Sequence, residues 1–468
     1  MKSLFRTKSV ESVLESVKKK SLKKTLGVFD LILLGVGGAI GVGIFVLAGL
    51  VAAKHAGPAV SVSCLLAAIV CMAAGLAYAE FASIVPASGS AYTYSYVSLG
   101  EFVAWLVACG LVLEYTVVAS TVAAGWSGYF TGMLKQSGII LPEALTTVPS
   151  QGGLVNLPAV LIATFVGLLL YRGTKESVIA NRILVGIKFV VITVFLVVAT
   201  PNIKMENYAE FFPFGWNGVL LGAATIFFAY TGFDSLATAV EECKNPKRDM
   251  PIGIIAGLLI CALVYVLISL ALTGISHYST LNNPEPMARA LRENGSNIGS
   301  ALIAVGALIG MVTVLLVMMY SQSRIFFVMS RDGLLPAFFS KVHSKYETPH
   351  ISCLFVMIAV ALIAGFTPIK IMGELSSLGT LFAFFIVSFG VIILRFTRPD
   401  LPRSFKCPAV FIVAPFGVIS CGYLIYTLLH ETGKPALIWF AFGLLVYFFY
   451  SRKKSNLNLS RNPSTLDS

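Results

Sequence analysis

The chain has 468 residues, 57% of them hydrophobic and only 12% charged, about half the charged share of an ordinary soluble domain. That balance excludes a water-soluble globular protein. The formal charge of +12 would suit a nucleic-acid partner if the cations were clustered for one, but their spread along the chain excludes that reading as well.

A bilayer core about 30 Å thick takes about 20 apolar residues per crossing helix. Runs of that kind lie at 27–52, 59–84, 101–130, 156–171, 178–200, 217–239, 251–275, 298–322, 350–366, 374–395, 408–429 and 435–450. They predict an all-α integral membrane protein of about 12 transmembrane helices. The basic tail at 1–26 has no apolar leader core, so the first run is expected to be a retained helix. With the N-terminus placed in the cytoplasm, 26 of the 34 Lys and Arg residues fall on the inside, 7 fall outside, and Lys188 lies within a run. This asymmetry follows the positive-inside rule and predicts a cytoplasmic (inner) membrane protein with both termini cytoplasmic. The cluster Lys18, Lys19, Lys20, Lys23 and Lys24 is a topology signal or a contact for anionic lipid.

The first run reads Gly35-Val36-Gly37-Gly38-Ala39-Ile40-Gly41-Val42-Gly43, with five glycines in nine residues. Glycine costs a helix interior about 1 kcal/mol against alanine, so this stretch opens readily. Opened backbone at membrane depth is tolerated only where it faces a cavity or ligand. Gly37 and Gly41 also form a G-x-x-x-G pair, for which close helix packing is the competing explanation. The sixth run is irregular too, with Gly232 and Asp234 inside Phe228-Ala229-Tyr230-Thr231-Gly232-Phe233-Asp234. Interrupted segments at matching places in two halves point to a transporter of inverted repeats with its site between them. The halves are expected at 27–200 and 217–396, followed by helices at 408–450 and a cytoplasmic tail at 451–468.

Ionisable groups at membrane depth default to function. Lys188 lies about ten residues into its run, near mid-membrane. There a lysine either takes up and releases a proton or stays charged and joins helices through their carbonyls. Glu114 either meets a substrate side chain or acts as structural glue. Glu80, near an inner helix end, suits a helix-end contact or gate. Asp234, Glu241 and Glu242 are expected at an inner gate with Lys244, Lys247 and Arg248. The eight cysteines show no C-x-x-C spacing, so no disulfide, metal or cofactor is expected. No nucleophile with an adjacent base points to an enzyme.

The chain resembles an amino acid permease of the amino acid-polyamine-organocation superfamily, within the cationic amino acid transporter family and closest to its twelve-helix prokaryotic type. The resemblance covers about residues 22–450. It is carried by Gly41-Val42-Gly43-Ile44-Phe45, Tyr78-Ala79-Glu80-Phe81-Ala82, Pro86-Ala87-Ser88-Gly89-Ser90-Ala91-Tyr92 and Phe228 to Asp234. Glu241-Glu242 with Asn245-Pro246, Arg248-Asp249-Met250-Pro251, and Ser330-Arg331-Asp332-Gly333-Leu334-Leu335-Pro336 complete it. It implies a leucine-transporter-type fold, a five-plus-five inverted repeat with broken first and sixth helices plus two peripheral ones. It further implies that Ile40, Gly41, Val42 and Gly43 receive a substrate carboxylate and that carbonyls of Phe228, Ala229 and Thr231 receive its amine. It also implies that Lys188 fills the place a sodium ion occupies in sodium-driven relatives, which favours proton coupling, and that Met318 narrows the pocket towards small neutral amino acids. Many relatives carry Thr or Ser in place of Val42, so a side-chain hydroxyl is missing from the carboxylate site here. The implied partners are an amino acid, a proton and membrane lipid, with room for a small single-helix membrane partner. A cationic amino acid or polyamine exchanger, or a sensor that binds without transporting, are the competing functions.

Overall fold

The computed structural model describes residues 6–13, 26–87, 89–172, 177–240, 243–346 and 348–459. Lys18 to Lys24, Ser88, Glu241 and Glu242 lie outside the described residues. Within them every regular element is a helix, and the one β contact is a parallel bridge between Leu26 and Cys243. The major helices are α1 (Val28–Ala39), α2 (Val60–Ile84), α3 (Ser90–Ser98), α4 (Glu101–Gln136), α5 (Leu157–Arg172), α6 (Ser177–Ala199) and α7 (Gly215–Ile226). They are followed by α8 (Pro246–Ile275), α9 (Pro286–Glu293), α10 (Asn297–Arg331), α11 (His350–Phe366), α12 (Ile369–Thr397) and α13 (Val410–Val446).

Eight segments among the described residues are long and apolar enough to cross a membrane, and α1, α5 and α11 are shorter apolar helices. Large apolar side chains face outward on many of them, Leu263 on α8 and Ile419 on α13 included. In water such a surface would be costly; in a bilayer it meets hydrocarbon. The chain is a membrane protein.

Two runs expected as separate helices, 408–429 and 435–450, fall largely within α13. At 1.5 Å per residue its 37 residues would span about 55 Å if straight. Its two ends are nevertheless on one face: Cys407 N–H donates to Glu80 and the Tyr447 hydroxyl to Glu101, acids that flank the turn from α2 to α4. The helix therefore folds back on itself, with Pro435 inside it. The loop helices α3 and α9 were not expected from the sequence, being too short and too polar to register as runs.

That face is tied together by buried acids. The Glu80 carboxylate accepts both Arg395 contacts at 2.8 Å, Arg403 at 3.0 Å and the Cys407 N–H at 2.8 Å. Glu101 pairs with Arg6 at 3.2 Å and accepts the hydroxyls of Tyr96, Tyr447 and Ser455. Asp332, at the end of α10, takes Lys8 at 2.6 Å and the Tyr92 hydroxyl at 2.7 Å. Both ends of the described chain are thus strapped over one side of the helix bundle. Glu80→Ala is expected to lower the unfolding midpoint in detergent clearly, because a buried ion pair that loses one partner costs roughly 3–5 kcal/mol and the Arg403 side chain is only 4% exposed. An unchanged midpoint would show that this cluster does not hold the α2 and α12 ends.

Candidate functional site

The glycine-rich stretch breaks where it was expected to. Helix α1 stops at Ala39, Ile40 is extended (φ −72°, ψ 101°), and helical backbone resumes as a wider-wound turn over Gly43–Leu47. Helix α7 stops at Ile226 and tightens into a 3-10 turn over Phe227–Tyr230. Residues 231–233 then form a turn, with a second 3-10 segment at Asp234–Thr238. Gly232 has φ +116°, a backbone state that L side chains rarely adopt.

The two breaks touch each other. A Cβ on Gly43 would lie 2.6 Å from the Ala229 Cα, and one on Gly232 would lie 2.7 Å from the Gly38 carbonyl carbon. Glycine is needed at these places because backbone meets backbone. Close packing and backbone opening, the two competing explanations of the glycines, are therefore both met within one stretch.

Lys188 sits at the first break. It is fully buried on α6, and its Nζ donates to the Gly37 carbonyl at 2.6 Å and the Ile40 carbonyl at 2.8 Å. These are carbonyls at the C-terminal end of α1, where the helix dipole favours a cation. Its methylenes pass beside Gly310 of α10, where a Cβ would stand 3.2 Å from the lysine Cε. One amine thus spans an opening between α1, α6 and α10.

Of the four residues expected to receive a carboxylate, Ile40 has its N–H committed to the Val36 carbonyl at 2.9 Å. The Gly41 carbonyl accepts from Ile44 and Phe45. Val42 is buried with its side chain turned against Gly125 of α4, where a Cβ would lie 2.2 Å from its Cγ2. Its apolar branch therefore fills a gap between α1 and α4 that a hydroxyl would occupy less fully.

Among the residues expected to hold the amine, the Ala229 carbonyl already accepts the Tyr265 hydroxyl from α8 at 2.6 Å. A carbonyl oxygen has two lone pairs, so one remains. Tyr265 was missed by sequence reading: a tyrosine in an apolar run gives no sign of which carbonyl it will reach from 36 residues away. The same holds for Tyr129, whose hydroxyl donates to the Phe45 carbonyl at 2.9 Å.

Asp234 lies apart from the basic loop expected to meet it. Its carboxylate accepts the Tyr115 hydroxyl from α4 and the Gly232 N–H, and its carbonyl accepts the Ser90 hydroxyl from α3. It braces the second break instead of reaching Lys247 or Arg248, both exposed. Glu114 is fully buried beside Gly379 of α12, and among the described residues neither of its carboxylate oxygens closes a hydrogen bond. Met318 is also fully buried, one helical turn before Gln322, whose amide donates to Thr116. Helices α4 and α10 are thereby joined close to both expected pocket residues, while the Gln322 carbonyl oxygen is left without a donor.

Above the breaks, the segment leading into α9 packs on glycines. A Cβ would lie 2.7 Å from Pro286 at Gly49, 2.7 Å from Pro284 at Gly128 and 2.5 Å from Glu285 at Gly132. Opposite lies the face strapped by the termini. The broken stretches therefore lie between these two sets of contacts.

The profile of a family described as "Amino acid permease" matches residues 26–450. The chain is 45% identical over 460 residues to a protein of Bacillus subtilis (strain 168) named "Methylthioribose transporter", covering 98% of this chain and 100% of that one. It is 45% identical over 462 residues to the "Branched-chain amino acid permease BcaP" of the same organism, covering 97% and 99%. It is 38% identical over 411 residues to "Cationic amino acid transporter 4, vacuolar" of Arabidopsis thaliana, covering 86% and 68%.

Proposed function

Because this chain belongs to the amino acid permease family, and so is a transporter and not an enzyme, we propose that it carries amino acids across a cytoplasmic membrane by alternating access coupled to protons. In this reading the segments 27–200 and 217–396 are two inverted repeats of five helices, 408–450 forms two peripheral helices, and both termini are cytoplasmic. Gly41 to Gly43 at the first break, with Ile40 shaping its edge, meet the substrate carboxylate. The carbonyls of Phe228, Ala229 and Thr231 meet its amine.

The observation that carries the reading is Lys188 spanning the carbonyls of Gly37 and Ile40. A proton gained or lost by that amine changes the charge at the place where the backbone opens, and so biases one arrangement of α1 over another. Met318 supports a preference for small neutral side chains. The branched-chain permease named among its relatives supports apolar ones. The deciding experiment is uptake of labelled alanine into liposomes holding the purified protein, with and without an inward proton gradient. Leucine, arginine, lysine and methylthioribose serve as competitors. Accumulation that follows the gradient and is blocked by neutral amino acids is expected; alanine flux indifferent to the gradient would remove proton coupling.

A second reading, exchange of cationic amino acids or polyamines, has one observation in its favour: the bare carboxylate of Glu114. Arginine flux that requires an internal counter-substrate would establish it. Tyr265→Phe separates the amine site from both readings. It frees the Ala229 carbonyl and is expected to change the KM for any substrate bearing an α-amine several-fold, because the neutral hydrogen bond that competes for that carbonyl is worth about 0.5–1.5 kcal/mol. An unaltered KM would place the amine elsewhere.

A further inference from the structure

The basic residues at the start of α8 have no acidic partner among the described residues and stand at the head of an apolar groove. Lys247 and Arg248 are exposed, and among the described residues neither takes part in an ion pair. The adjacent acid, Asp249, is buried against the Cys243 thiol, and Glu80 is already saturated by Arg395 and Arg403. Among the described residues two cations are thus left uncompensated, on the face that holds both ends of the described chain.

Below them, Ile252, Ile255 and Leu259 follow Arg248 at spacings of four, three and four, so all lie on one side of α8. Phe405, from the loop after α12, forms the facing wall, and the groove has a volume of about 550 Å³. From Arg248 to Leu259 the stripe runs about 16 Å along the helix. Ile252 and Leu259 are 38% and 58% exposed, and Leu263 and Leu267 continue the stripe. A soluble anion would use the cations and leave the stripe bare. A neutral lipid would use the stripe and leave the cations unmatched.

We propose that this groove binds an anionic phospholipid, its phosphate against Lys247 and Arg248 and an acyl chain along Ile252, Ile255 and Leu259. Cations at the membrane surface attract an anionic headgroup, and the hydrocarbon stripe supplies the depth that a surface charge lacks. Helix α8 packs on α1 and α2, so the lipid holds the outer side of a helix whose inner side touches the interrupted one.

The test is native mass spectrometry of the whole protein in detergent with phosphatidylglycerol, phosphatidylethanolamine or inorganic phosphate added. Thermal unfolding is followed in parallel. The wild type is expected to retain phosphatidylglycerol selectively and to melt higher with it. Lys247→Gln with Arg248→Gln is expected to lose at least tenfold in phosphatidylglycerol affinity. Lys453→Gln with Lys454→Gln, the same charge loss elsewhere, is expected to lose less than twofold. Equal loss in both double variants would show only a diffuse basic surface and overturn the site. Retention by the first variant, or displacement of the lipid by millimolar phosphate, would overturn it as well. Ile255→Ser tests the chain contact in a protein whose cations are intact: phosphatidylglycerol retention should fall, and unchanged retention would refute the acyl groove. Should a variant fail to fold, the wild type alone decides between the lipids and phosphate.

Discussion

Lys188→Ala is expected to abolish gradient-driven accumulation while leaving a folded protein in the membrane. The side chain donates to two carbonyls at the end of α1. Removing it bares both at membrane depth, at a cost of about 1–3 kcal/mol each. Some loss of stability is therefore expected whatever the lysine does in transport, and a fall in melting temperature alone does not bear on coupling. The informative readout is the ratio of uptake with a proton gradient to uptake without one. In the wild type it should rise as the outside is made more acidic. In the alanine variant it should fall to one, with driven uptake down roughly a hundredfold, about 2.7 kcal/mol. Lys188→Arg supplies the contrast. An arginine keeps its charge and donors but cannot release a proton, so it is expected to retain exchange of internal for external substrate without accumulation. A gradient response surviving in Lys188→Ala would sink the coupling role and leave the lysine as a tie between helices.

The first break was legible because its cause is local: five glycines in nine residues weaken a helix wherever it is placed. The second was legible from Gly232 and Asp234 in an apolar run, and Lys188 at the first break from the rarity of buried amines. What completes each break was not legible. Tyr265 reaches Ala229 from α8, Tyr115 reaches Asp234 from α4, and Tyr129 reaches Phe45 from the same helix. Each is one tyrosine in an apolar stretch, and only packing between distant helices selects its acceptor. Asp234 shows the consequence. Sequence proximity suggested the basic loop after it, but its carboxylate turns to groups from α4 and the break itself. Glu80 is the opposite case, since a carboxylate near a helix end must find cations, and the loop after α12 is rich in them.

Gly232→Ala is the substitution expected to damage transport most with the smallest change in atoms. Its φ of +116° strains any L side chain, roughly 1–3 kcal/mol. The added methyl would also stand 2.7 Å from the Gly38 carbonyl carbon and 2.9 Å from its oxygen. Those are backbone atoms, so no rotamer relieves the overlap and the two broken segments must separate. Separation at Gly38 shifts the Gly37 and Ile40 carbonyls that Lys188 holds, which links the methyl to Lys188 without direct contact. Uptake is expected to fall to background, and the melting temperature to fall with it. Gly38→Ala probes the same contact from the other side, where the nearest atom, the Gly232 carbonyl oxygen, is 3.4 Å away; a moderate loss is expected. Gly257→Ala, with only the Ile32 carbonyl at 4.0 Å, should transport as the wild type does. That graded order follows from the distances alone, so wild-type uptake by Gly232→Ala, or equal damage at Gly257, would mean that transport does not depend on the meeting of the two breaks.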